Sequence, residues 1–175
     1  GQLYQTQTLT AGPGTWTHWK GAQLSELFHR TLIHLQTGGP QRDGIEALLA
    51  PSELTDDQRA AVVRHCSLME SPTYALQVLP ERMAYHVGLV EKFEEMKEMQ
   101  VACEAHLGFF DVTFCGGDRP RLFADLTGLL YTEGFNVLGA KIYSRRDKVV
   151  IDIFQVEVAD SVQLGVEARI ERIRA

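Results

Sequence analysis

Asp118, Arg119 and Pro120 stand where an alternating run, Phe110 to Cys115, gives way to a helical pattern of Leu122, Phe123, Leu126, Leu129 and Leu130. A loop turning into a helix presents unpaired backbone N–H groups and the positive end of the helix dipole, a setting that suits a carboxylate. Pro120 is preset for the first turn of a helix. Asp118 is placed either to cap that helix or to accept an ammonium group, and Arg119 supplies a positive charge. Beside the strand that begins at Asn136, this junction is a candidate pocket for a small zwitterion. Asp152 shares a strand face with Val150, Phe154 and Val156, so an ionised carboxylate there needs a partner. The same residues also fit plain structural roles: Asp118 as a helix cap, Arg119 as a solvated charge and Asn136 as a turn residue.

The remaining reactive side chains form no recognisable set. The six histidines show no H-E-x-x-H spacing, and Cys103 and His106 fall on opposite faces of a regular strand, which argues against a metal site. Cys66, Cys103 and Cys115 have no C-x-x-C spacing and fit the reduced thiols of a cytoplasmic protein. With 17 Lys and Arg against 23 Asp and Glu, the formal charge is -6, a poor match to a phosphate backbone, so no nucleic-acid partner is expected. The tight basic group Arg145, Arg146 and Lys148 reads as a solvated hairpin tip. No apolar run approaches the length needed to cross a bilayer, so no membrane partner is expected either. The start, Gly1-Gln-Leu-Tyr, lacks Met and a signal profile, and we expect the chain to be a piece of a longer protein.

Two regions must position these residues. Residues 1–98 read as a helical segment. Gly12-Pro13-Gly14 is a breaker, and Trp16, Trp19, Leu24, Leu27, Phe28 and Leu35 give one apolar face to a helix that Gly38-Gly39-Pro40 ends. A short helix spans Ile45 to Ala50. Thr55 and Gln58 have capping-box spacing for a helix from Asp56 to about Met69. Ser71-Pro72 opens a short turn or helix, and Pro80 begins another helix reaching about Glu98, with Tyr85, Leu89, Phe93 and Met96 on one face. Residues 99–175 change period. Strands are predicted at Val101–Ala105 and Phe109–Cys115, a helix from Pro120 to Thr132, a hairpin of Asn136–Ser144 and Val149–Val158, and a last helix capped by Ser161. The fold class is α+β, an all-helical segment followed by a ferredoxin-like βαββα unit whose last strand is missing. An open edge in that sheet would leave backbone groups unpaired.

The stretch from Phe110 through Gly116-Gly117-Asp118-Arg119-Pro120-Arg121-Leu122 resembles the opening of ACT domains, a strand followed by D-R-P-G-L and a helix. Asn136-Val-Leu-Gly-Ala-Lys-Ile-Tyr-Ser-Arg-Arg-Asp147 and Val150-Ile-Asp-Ile-Phe-Gln-Val156 resemble the next two strands as they occur in the bifunctional uridylyltransferase/uridylyl-removing enzymes of PII nitrogen signalling. Trp16-Thr-His-Trp-Lys20, the Leu27 to Thr31 stretch, Ser71-Pro-Thr-Tyr74 and Pro80-Glu-Arg-Met-Ala-Tyr-His86 resemble the segment that follows that family's HD domain. Gln7 stands where the last HD-domain aspartate is expected.

The resemblance implies effector-contact positions at Asp118, Arg119, Pro120, Arg121, Leu122, Asn136, Val137 and Asp152. It implies glutamine, or another small amino acid, as effector. The implied partners are a PII signalling protein reached through the whole enzyme and a second ACT domain or a second copy of the chain. Catalysis in the family needs a G-S…D-x-D site and an H…H-D…D site, neither of which is in this sequence, so no catalytic residue and no cofactor is assigned here; the whole enzyme is expected to use Mg2+ or Mn2+. Three positions depart from the pattern. Arg121 stands where many ACT domains have glycine, Gly139 where this family often has Asp, and Lys148 replaces the hairpin glycine. Two other readings stay open: a stand-alone ACT protein binding a different amino acid, and an adaptor whose helical half docks a partner.

Overall fold

The computed structural model describes residues 42–158 and 165–174. The readings made on residues 1–41, on Ser161 and on the final Ala175 lie outside the described residues. Four helices come first: α1 (Arg42–Leu49), α2 (Asp56–Leu68), α3 (Thr73–Gln77) and α4 (Pro80–Met96). Strands β1 (Gln100–His106) and β2 (Phe109–Gly117) follow, then α5 (Leu122–Thr132), β3 (Phe135–Ser144), β4 (Val149–Val158) and α6 (Val166–Arg174).

Local chemistry explains most boundaries. Thr55 accepts a hydrogen bond from the Gln58 N–H while the Gln58 side chain accepts from the Thr55 N–H, so the capping box forms as its spacing predicts. Pro80 opens α4 at a position where its missing N–H is no loss. Gly134, at φ 78, takes the left-handed conformation that ends α5. On α4 the buried residues are Met83, His86, Leu89 and Val90, while Tyr85 and Met96 are exposed. The apolar face is therefore rotated from the one expected, because the sheet lies against the Met83 and His86 side.

The sheet is antiparallel with strand order β1-β2-β4-β3. The strand–helix–strand–strand–helix order is present, and no strand follows α6 among the described residues. β1 takes the sheet edge beside β2, pairing with it from Gln100↔Cys115 to His106↔Phe109. An ACT-like α+β unit thus has four strands here, with its extra strand coming from before β2.

Both faces of the sheet are covered. One face carries Val112, Phe114, Val150, Phe154 and Val156 against Leu122, Leu126 and Leu130 of α5 and Ile170 of α6. The other carries Ala102, Cys115, Tyr143, Val149, Ile151 and Ile153 against Val62, Tyr74, Met83, Leu89 and Val90 of the first four helices. Alternation along β2 therefore separates two apolar layers, and the strand reads Asp111, Thr113 and Cys115 into the helical layer. Arg82 of α4 ties the layers by pairing with Glu104 on β1 and with Asp111 on β2, the latter at 2.7 Å.

Candidate functional site

The loop after β2 begins with Asp118, whose N–H donates to the Lys148 carbonyl at 2.7 Å. Pro120 and Arg121 form a turn, closed by the Leu122 N–H donating to the Arg119 carbonyl at 3.2 Å. The helix starts at Leu122, two residues later than the Pro120 start expected from sequence. Arg121 occupies the cap position in the left-handed conformation, φ 68, and caps nothing with its side chain. The expectation that Asp118 caps this helix is thereby corrected: the left-handed turn at Arg121 separates them. The position where ACT domains carry glycine does require a glycine-like conformation, and this chain meets it with arginine. Lys148, at φ 67, repeats the situation in the β3–β4 hairpin.

Asp152 lies on β4 between Phe114 of β2 and Ile142 of β3, on the face that α5 covers. It is 2% exposed, and its Oδ1 is buried without a hydrogen-bond partner. Burial, and secondly the nearby charge of Asp118, push its carboxyl up to about 6. The partner that the alternation called for is absent among the described residues, and a carboxyl still half protonated near pH 6 is the physical consequence. Arg119 is exposed and pairs with Asp125 of α5 at 2.5 Å.

Of the eight expected contact positions, Asp118, Arg119, Pro120, Arg121 and Leu122 share one loop and turn, and Asp152 stands on β4 opposite Phe114, where the charge of Asp118 acts on it. Asn136 and Val137 are not among them. Asn136 pairs with Glu157 and Val137 with Val156, at one end of β4, whereas Gly117 pairs with Val149 at the other. Eight residues of strand separate the two ends, roughly 25 Å at ~3.3 Å per residue. The single pocket expected from the Pro120 junction and the Asn136 strand is therefore not formed within this chain, because β3 begins where α5 ends, not where it starts.

Sequence reasoning missed the residues joining this loop to the helical layer. Arg145 departs from the solvated tip expected of this basic group. Arg146 and Lys148 are exposed, but Arg145 is 5% exposed, forks onto Asp147 and lies 3.6 Å from Glu94 of α4. Its Nη1 is 3.4 Å from His65 Nδ1, His65 Nε2 is 3.2 Å from the Tyr74 hydroxyl, and that hydroxyl is 2.9 Å from His86 Nδ1. A guanidinium only donates, so His65 Nδ1 accepts and its proton sits on Nε2. Tyr74 then accepts from His65 and donates to His86 Nδ1, leaving the His86 Nε2–H as the buried atom without a partner. Burial first, and the positive charge of Arg145 or Arg82 second, lower His65 to about 4 and His86 to about 3. The chain is thus built for neutral imidazoles.

Backbone bonds reinforce this connection. The Glu70 N–H donates to the Ser144 carbonyl at 2.9 Å, and the Arg146 N–H to the Leu68 carbonyl at 2.9 Å. The hairpin that receives the Asp118 N–H is therefore bonded directly to the α2–α3 connection. A groove of about 540 Å³ lies between that connection and β3, lined by Glu70, Gln77, Lys141 and Tyr143 among others, and none of the eight expected residues lines it. Burial pushes the Cys66 and Cys115 thiols up to about 12, far from nucleophilic thiolates. Among the described residues no group of three or more His, Cys, Asp or Glu side chains could hold a metal ion, and no described helix is long and apolar enough to cross a membrane.

No protein-family model matches the chain. Curated proteins do. A bifunctional uridylyltransferase/uridylyl-removing enzyme of Phenylobacterium zucineum is 27% identical over 161 residues, covering 88% of this chain and 17% of the relative. One of Rhodospirillum rubrum is 27% identical over 185 residues, covering 98% of the chain and 19% of the relative. One of Azospirillum brasilense is 29% identical over 157 residues, with 85% and 17% covered. The chain spans less than a fifth of the length of these relatives. The matches run through both the helical layer and the sheet, so along most of its length the chain is similar to one segment of the bifunctional uridylyltransferase/uridylyl-removing enzymes.

Proposed function

We propose that the chain is a regulatory segment of an enzyme that attaches UMP to a PII signalling protein and removes it, and that it senses glutamine. The observation that carries this reading is the similarity to those enzymes across both layers. The Asp118–Arg121 turn supplies a place for the effector. Asn136 and Val137, at the far end of the sheet, meet an effector held at that turn only when a second ACT domain or a second copy brings its own strand start alongside. The turn communicates with the helical layer through Lys148, Arg145 and the Leu68 and Ser144 carbonyls. A tenfold bias between two states corresponds to about 1.4 kcal/mol, within the usual range of allosteric coupling, and the loss of one buried hydrogen bond in this relay is of that size.

The reading is tested by calorimetric titration of the chain, and of the whole protein that contains it, with glutamine, glutamate and a panel of small amino acids. Saturable glutamine binding to the whole protein, lost on Asp118→Ala, is expected. Tight binding of a different amino acid, with none of glutamine, would instead favour a sensor of other chemistry. The encoding gene is expected to carry an upstream nucleotidyltransferase motif and a further D-R-P segment, and a gene with neither would rule the enzyme reading out.

A further inference from the structure

We infer that the outer edge of β3, along the groove between β3 and the α2–α3 connection, docks an extended peptide segment of a partner protein by strand addition. One such pairing is already begun within the chain. Met69 bridges Arg145 in antiparallel fashion, through the Glu70 N–H to the Ser144 carbonyl and the Arg146 N–H to the Leu68 carbonyl, each at 2.9 Å. Backbone groups along a strand alternate between its two sides. Ser144 and Arg146 therefore face outward, while the Arg145 N–H bonds inward to the Val149 carbonyl at 2.8 Å. The register runs unbroken from Gly139 to Ser144, so Ile142 and Ala140 also turn their N–H and C=O outward. Among the described residues nothing bonds to those groups, because the chain leaves the edge after Glu70 and enters α3.

The groove, about 540 Å³, matches that edge. Ala140 and Ile142 form one wall, and Glu70 with Thr73 and Gln77 of α3 the other. The Tyr143 hydroxyl donates to Gln77 Oε1 at 3.0 Å and its ring meets Tyr74 edge-on, which fixes α3 against β3. From Ala140 to Ser144 the edge runs roughly 13 Å, room for about four or five residues of extended chain. The charged lining residues, Glu70 and Lys141, are not buried, so they offer a small charged metabolite little. Outward amides and carbonyls match another backbone instead. Side chains of the guest alternate between the polar groove and the α5 side, where Ile142 and Phe123 are each 48% exposed. A segment of alternating polar and apolar residues therefore fits.

Other pairings fit less well. β3 is bulged between Val137 and Gly139, which bends the edge away from the long, flat pairing that two copies would make. The opposite edge, β1, is guarded by Glu104 paired with Arg82, and by Arg174 donating to the Val101 carbonyl at 3.1 Å.

The test is selection of peptides on the full chain from a phage-displayed library of random sequences, followed by titration of the selected peptides. Ile142→Pro removes one outward N–H and is tolerated at a sheet edge, so it should weaken their binding about tenfold or more. Peptides N-methylated at alternate amides read the same bonds from the other partner, whether or not that variant folds: one set of methyl groups should abolish binding and the other leave it intact. In the free chain the Ile142 amide should exchange far faster than that of Tyr143, which faces β4, and a selected peptide should slow it. Failure to select any peptide, or peptides indifferent to both Ile142→Pro and methylation, overturns the docking edge. An Ile142 amide already protected in the free chain overturns it too, and protection that grows with chain concentration would assign the edge to a second copy.

Discussion

The backbone N–H of Asp118 donates to the carbonyl of Lys148 at 2.7 Å, joining the turn before α5 to the β3–β4 hairpin. Both partners stand beside or at a residue held in the left-handed conformation without being glycine, Arg121 at φ 68 and Lys148 at φ 67. A side chain there crowds its own carbonyl, at a cost of roughly 1–2 kcal/mol, partly offset by the lower entropy of a non-glycine chain when unfolded. Arg121→Gly and Lys148→Gly should therefore each raise stability by up to about 1 kcal/mol, read as a higher urea midpoint with an unchanged slope. A midpoint that falls in both variants would mean that their side chains contribute more than the strain removes.

Tyr74 is 1% exposed and its hydroxyl bridges two buried histidines. Tyr74→Phe keeps the ring but leaves a His65 donor and a His86 acceptor without partners, so a loss of about 1–3 kcal/mol is expected. Nitrogen NMR of the unaltered protein should find both imidazoles neutral and protonated on Nε2. A proton on Nδ1 of either ring would break the donor order from Arg145 to His86.

The pH dependence combines two opposite signs. His65 and His86 are depressed to about 4 and about 3, so below the ordinary histidine value the unfolded chain takes up protons that the folded one refuses, and stability falls on acidification. Asp152 is raised to about 6, so near pH 5 the folded chain holds a proton that the unfolded one has released, and this opposes the loss. Over these three groups the folded state binds about one proton fewer, contributing a slope near pH 5 of about 1.4 kcal/mol per pH unit, with stability rising as pH rises. Asp152→Asn removes the opposing group and should steepen that slope to about 2.5 kcal/mol per unit by the same relation, measured from urea midpoints at pH 4.5, 5 and 5.5. Equal slopes in the two proteins would show that Asp152 titrates normally.

Arg145→Met removes the fork onto Asp147 and the donor to His65 from a nearly buried position. A cost of about 1–3 kcal/mol is expected, chiefly from leaving the buried His65 Nδ1 without its donor, since Asp147 and Glu94 are exposed enough for water to take over their charge. Hydrogen exchange distinguishes this from general loosening. The amides of Glu70 and Arg146, bonded across the layers, should lose protection before those of β2. Uniform loss across the sheet would argue against a local tie.

Much of this architecture was legible along the chain because it depends on near neighbours. The capping box of Thr55 and Gln58, the Pro80 start of α4, the Gly134 stop of α5 and the four strands are all set within a few residues. Alternation likewise placed Asp152 on an apolar face and called for a partner it does not have. Local pattern misjudged Pro120 and Asp118, because a left-handed Arg121 delays the helix by two residues, and nothing in the residue type announces it.

What only the tertiary structure decided is which distant segments meet. Period-two patterns give a strand its faces but not its neighbours. β1 beside β2, the helical layer on the face of Cys115 and Ile151, and the 25 Å scale of separation between Asp118 and Asn136 all follow from strand order. Arg145 is the sharpest case: its sequence neighbours Arg146 and Lys148 are solvated, and it is buried because helices some 50 to 80 residues earlier supply His65 and Glu94. Charge and spacing report what a side chain is able to do, and pairing over long range determines whether it has anything to do it with.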